Sequence, residues 1–112
     1  MPLIPTHRPP THSGEMLLEE FLKPMGISQR QLADAIGVPY QRINKLINGK
    51  GRVTAGLAYR LAKYIGTTPD FWLNGQMAWD MYHALRSEAA ALERIQPLER
   101  EDLPYVEEAA AD

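Results

Sequence analysis

The sequence predicts an all-α chain of five helices followed by a C-terminal extension. Three observations predict it. Apolar residues repeat at helical spacing in five stretches, and no stretch alternates convincingly as a strand would. Ser, Thr and Pro stand where those stretches begin, and Gly or Pro where they stop. Residues 28–49, SQRQLADAIGVPYQRINKLING, read as a helix, a glycine turn and a second helix.

Each element has its own warrant. Residues 1–12 form a proline-rich, extended arm, and residues 13–92 form the helical domain. The first helix covers 14–22, burying Leu17, Leu18, Phe21 and Leu22. Pro24 ends it, because the residue before a proline resists helix. The second helix opens on a capping box, with Ser28 as N-cap and Gln31 three residues later. Ile27 and Leu32 can staple its entry; Leu32, Ala33 and Ile36 face the core, and Gly37 stops it. Pro39 suits the first turn of the third helix, whose apolar stripe is Ile43, Leu46 and Ile47. The fourth is capped by Thr54, buries Leu57, Ala58, Leu61, Ala62 and Ile65, and stops at Gly66. The fifth starts after Thr68, with Pro69 at its first position and Asp70 near the positive dipole end. It runs to about Leu92. Gly75 inside it costs about 1 kcal/mol against alanine and is a candidate kink.

The third helix carries the chemistry. Gln41, Asn44, Lys45 and Asn48 fall at i, i+3, i+4 and i+7, opposite the apolar stripe. Gln and Asn can pair bidentately with adenine, and Lys or Arg with guanine. Tyr40 and Arg42 stand at the N-terminal end, which in helix-turn-helix geometry lies closest to the bases. Tyr40, Gln41, Arg42, Asn44 and Lys45 are therefore the expected base-reading residues. An ordinary amphipathic helix with a solvated polar face would show the same stripe. The cap, the glycine turn and the basic loop Asn48-Gly49-Lys50-Gly51-Arg52 favour DNA. Phosphate contacts are expected from Gln29, Asn48, Lys50, Arg52 and Thr54.

A net charge of −2 looks wrong for a DNA-binding protein, but its distribution removes the objection. Residues 23–63 carry eight Lys or Arg against one Asp, a local +7. Residues 87–112 carry eight acids against two Arg. A polyanion responds to the local patch. Leu92 stands just before the acidic extension 93–112, which contains Ile95, Leu98, Leu103, Tyr105 and Val106 among its acids. It is either a segment that engages a basic partner or a solvated terminus.

Trp72, Met77, Trp79 and Tyr82 crowd the fifth helix. They either pack in the monomer core or form a homodimer interface, where aromatic residues and Met are enriched. A dimer would suit two half-sites one DNA turn apart. With no cysteine there is no disulfide framework and no thiolate metal site, which fits a cytoplasmic protein. His7 and His12 lack a matched second pair for zinc, so no metal or cofactor is expected. No apolar run is long enough to span a membrane. Ser13, Ser28 and Ser87 with His7, His12 and His83 form no recognisable acid–base set, nucleophile elbow or phosphate loop, so no catalytic residue is expected.

Residues 28–49 resemble the Xre/Cro–C1 helix-turn-helix family, and residues 5–74 resemble its HigA (VapI) antitoxin branch. The motifs are Thr11-His12-Ser13-Gly14-Glu15, Leu18-Glu19-Glu20-Phe21-Leu22, Arg42-Ile43-Asn44 and Thr68-Pro69-Asp70-Phe71-Trp72-Leu73-Asn74. The resemblance implies a lambda-repressor-like helix-turn-helix domain. It implies an antitoxin that neutralises a HigB/RelE-like mRNA-cleaving toxin and represses its own operon as a dimer on operator DNA. It also implies base reading by Tyr40, Gln41, Asn44 and Lys45, and backbone contacts from Gln29, Asn48 and residues 50–54. A stand-alone Xre-type regulator without a toxin is the alternative. Two positions depart from the family's usual pattern: proline is common where Ser13 stands, and a larger residue where Gly75 stands.

Overall fold

The computed structural model describes residues 9–99, and among them there are five helices and no strand. The first, α1, is built of three consecutive segments: Ser13–Leu17, a π-turn over Leu18–Leu22, and Lys23–Met25. It is followed by α2 (Gln29–Ile36), α3 (Tyr40–Ile47), α4 (Ala55–Ile65) and α5 (Pro69–Glu93). The arm before residue 9 (with His7) and the extension after residue 99 (with Leu103, Tyr105 and Val106) lie outside the described residues.

Pro24 does not end the first helix, contrary to the sequence expectation. The helix passes through it to Met25 and stops at Gly26, whose φ is +68°. The π-turn accounts for this. Lys23 N–H bonds back five residues to the Leu18 carbonyl. The widened turn relaxes the clash a proline ring makes with the carbonyl four residues earlier.

The remaining boundaries follow local chemistry. Ser28 Oγ accepts from Gln31 N–H at 3.0 Å and Gln31 Oε1 accepts from Ser28 N–H at 2.8 Å, completing the capping box. Gly37 takes the left-handed conformation that turns the chain between α2 and α3. Pro39 is the N-cap of α3, one residue before its first turn. Thr54 and Thr68 cap α4 and α5 through the N–H groups of Leu57 and Phe71. The long α5 runs unbroken through Gly75.

All five helices contribute to one core. Leu17 and Leu22 meet Leu32, Ala33 and Ile36, then Ile43 and Leu46, with Leu57, Ala58, Leu61 and Ala62 beneath. Trp72 completes it at 1% exposure, its indole N–H donating to Thr67 Oγ1 at 2.7 Å. Trp72 therefore offers no surface to a partner chain, which corrects its place among the interface candidates. Tyr82 is corrected likewise: it is buried, and the Arg86 guanidinium lies over its ring. Met77 is exposed, and Trp79 is half-buried between the rings of His12 and His83.

His12, assigned to the arm from sequence, belongs to the folded domain. It is the buried N-cap of α1, where Nδ1 accepts from Gly14 N–H at 2.9 Å. Gly14 itself fits tightly too. A Cβ at Gly14 would run into the Leu46 backbone, so α1 begins directly against the end of α3.

Candidate nucleic-acid interface

The orientation of α3 follows from which of its residues the core takes. Ile43 and Leu46 are fully buried, and Ile47 is half-buried. That leaves Gln41, Lys45 and Asn48 in solvent, with Asn44 half-buried between them. α2 packs across α3, and Gly37 sets the turn between them. Arg60 of α4 locks this turn by donating to the Ile36 carbonyl.

The polar face is partly organised before any ligand arrives. Asn44 Nδ2 donates to Gln29 Oε1 at 3.0 Å and to the Tyr40 hydroxyl at 3.4 Å. Asn48 Nδ2 donates to Asn44 Oδ1 at 3.2 Å. One amide chain thus joins the start of α2 to the last turn of α3. It brings together Gln29 and Asn48, expected on phosphate, with Tyr40 and Asn44, expected on bases. Arg30 stacks on Tyr40, its guanidinium carbon 4.5 Å from the ring centre.

The basic residues fall into two groups. Several are engaged within the chain. Arg42 donates to Thr54 Oγ1 at 2.8 Å, tying an expected base reader to an expected phosphate contact. That hydroxyl also caps α4. Arg52 forks onto Asp80 of α5 with N–H···O distances of 3.0 and 2.8 Å. The guanidinium holds the Asp80 carboxyl below its ordinary range, with further help from Gln76. Lys45 and Lys50 are exposed and pair with no acid among the described residues.

Sequence reasoning missed the support beneath the loop. Gln76 is buried, and its Oε1 accepts from Val53 N–H at 2.8 Å while its Nε2 donates to Asp80 at 3.1 Å. The spacing of Gln76 and Asp80 on one helix face was visible. Their partners, more than twenty residues away, carried no local signal.

Among the described residues no group of His, Asp and Glu could hold a metal ion, and no helix is long and apolar enough to cross a membrane.

The arrangement can present an amide- and lysine-bearing helix to a groove and a basic loop to a backbone. Known proteins share the fold. The helix-turn-helix family matches residues 18–72. The antitoxin HigA-1 of Vibrio cholerae is 48% identical over 87 residues, covering 75% of this chain and 82% of that protein. The solved structure of antitoxin GraA in complex with its operator aligns with a TM-score of 0.78 at 39% identity, over 88% of this chain and 99% of that one. The Pseudomonas aeruginosa antitoxin HigA with the higBA promoter aligns at 0.76 and 32% identity, over 80% of this chain and 99% of that one. With this helix order and a relative of that identity along most of its length, the chain belongs to the HigA family of helix-turn-helix antitoxins.

Proposed function

We propose that the protein represses its own operon by binding operator DNA as a dimer and neutralises a HigB/RelE-like mRNA-cleaving toxin by direct contact. The observation that carries the DNA half is the pinning of α3. Ile43 and Leu46 are sunk in the core, so Gln41 and Lys45 are turned outward beside Asn44. In the major groove, Gln41 and Asn44 suit adenine and Lys45 suits guanine, with Tyr40 and Arg42 at the leading end. Gln29, Asn48, Lys50 and Thr54 suit the flanking phosphates.

The toxin half is supported by membership of the family and by the likeness to antitoxin HigA-1. Dimerisation is supported by the exposed apolar residues Met77, Met81 and Leu85, spaced four apart along α5. The protein acts by binding and contributes no catalytic group.

One experiment tests both halves. The protein is co-expressed with the product of a short basic reading frame adjoining its gene, and the purified material is titrated onto a duplex from the region upstream. Co-purification, rescue of growth and sequence-selective duplex binding are expected. Selective duplex binding with no co-purifying toxin would make it a stand-alone regulator. Failure to bind the duplex would refute repression.

A further inference from the structure

The loop after α3 carries two cations with different surroundings. Lys50 is exposed and meets no acid among the described residues. Arg52, two positions on, turns toward α5, which packs chiefly on α4 and α1. Its two terminal nitrogens each donate to a different oxygen of Asp80. A bidentate fork of this kind matches guanidinium to carboxylate as it would match guanidinium to phosphate.

Asp80 is itself held in place. Oδ1 accepts from Gln76 Nε2 at 3.1 Å, and Gln76 is 5% exposed. The same Gln76 accepts from the backbone N–H of Val53, next to Arg52, and Val53 is buried. One buried side chain therefore fixes both the loop backbone beside Arg52 and the carboxylate that receives it. An ion pair between two loose surface chains would have no such anchor.

Resting on the DNA-binding reading above, we propose that Asp80 is a positioning residue that withholds Arg52 from the DNA backbone. It thereby sets affinity for DNA of any sequence. A phosphate must displace Asp80 to gain the Arg52 fork, whereas Lys50 is available at once. Base choice, carried by α3, is untouched.

The test uses the full chain with Asp80→Asn, Arg52→Ala and the double variant. Each is titrated by fluorescence anisotropy onto a duplex from upstream of its own gene and onto a scrambled duplex. Asp80→Asn is expected to bind both duplexes more tightly, with the log–log salt slope steeper by about 0.9 for each protomer bound, about 1.8 for a dimer. Arg52→Ala alone should leave the slope unchanged, and adding it to Asp80→Asn should restore the wild-type slope. A shallower slope for Arg52→Ala alone would show Arg52 already on a phosphate and overturn the proposal. So would a gain from Asp80→Asn that persists without Arg52, since that reports only a removed negative charge. Unchanged binding by Asp80→Asn beside normal wild-type binding refutes this inference alone. A wild-type protein that binds neither duplex refutes the DNA reading, and the inference with it.

Discussion

Ser13 and Gly75 meet where α1 begins against α5: a Cβ at position 75 would stand 2.9 Å from Ser13 Oγ. The two residues are 62 positions apart in sequence and neighbours in the fold. Ser13 is buried, so its hydroxyl has little freedom to withdraw. Gly75 thus marks a close approach of two helices.

The contact predicts non-additivity. Alanine at position 75 gains about 1 kcal/mol of helix propensity. In the wild type the clash with Ser13 Oγ offsets most of this gain. In a Ser13→Ala background the gain should appear. A double-mutant cycle by urea unfolding should give a coupling of at least about 0.5 kcal/mol. Additive effects would show that the two side chains do not compete for the space.

His12 predicts a pH dependence. Burial pushes its pKa below the ordinary value, against smaller opposing effects of the Gly51 backbone bond and of Asp80 and Glu15. The folded state therefore favours the neutral ring, whose Nδ1 accepts from Gly14 N–H. Unfolded, the ring takes a proton near pH 6.5. The contribution is complete above that value and is lost as pH falls through the depressed folded value. Asp80, also held low, gives up its share only below the ordinary carboxylate range. Thermal melts between about pH 5 and 8 should fall on the acid side, and His12→Asn, which can still cap, should flatten that limb. A variant curve parallel to wild type would assign the slope elsewhere.

The polar face of α3 and the loop after it predict a division of labour. Gln41→Ala should relax base preference at one position, costing about 1–3 kcal/mol on the preferred duplex. Lys50→Ala should weaken all duplexes alike and lower the salt slope by about one for each protomer bound. Asn44→Ala should do more than remove a base contact, because Asn44 also orients Gln29 and Asn48. Competition titrations against single-base variants separate these effects. If Lys50→Ala changed base preference and Gln41→Ala did not, the two surfaces would be wrongly assigned.

The exposed stripe of α5 predicts an oligomer that can be broken without unfolding. Met77 is 52% exposed and Met81 41%, so a charge at either costs the monomer little. Met77→Glu with Met81→Glu should yield a monomer by sedimentation velocity, with helicity retained and operator affinity reduced. A variant dimer of unchanged affinity would place the interface elsewhere.

The sequence alone determined the helices of this chain and the face of α3 that meets solvent. Caps, glycine stops and apolar stripes act within about four residues, and that is the reach of a backbone hydrogen bond along a helix. Ser28 with Gln31, Gly37, Thr54 and Thr68 therefore announce themselves. Pro24 misled because a π-turn absorbed it, and no residue type specifies such a turn. Tertiary structure alone decided which large apolar residues of α5 are spent inside the domain. Periodicity marks a stripe but not what covers it, so Trp72 and Tyr82 could not be told from Met77 until the other helices packed. It also decided the fate of individual charges. Arg52 reads as one more cation in a basic loop; the fold brings Asp80, 28 residues away, onto its fork. His12 looks like part of an arm until Trp79 covers it. A charge or a ring is assigned by its neighbours in space, and those neighbours come from distant parts of the chain.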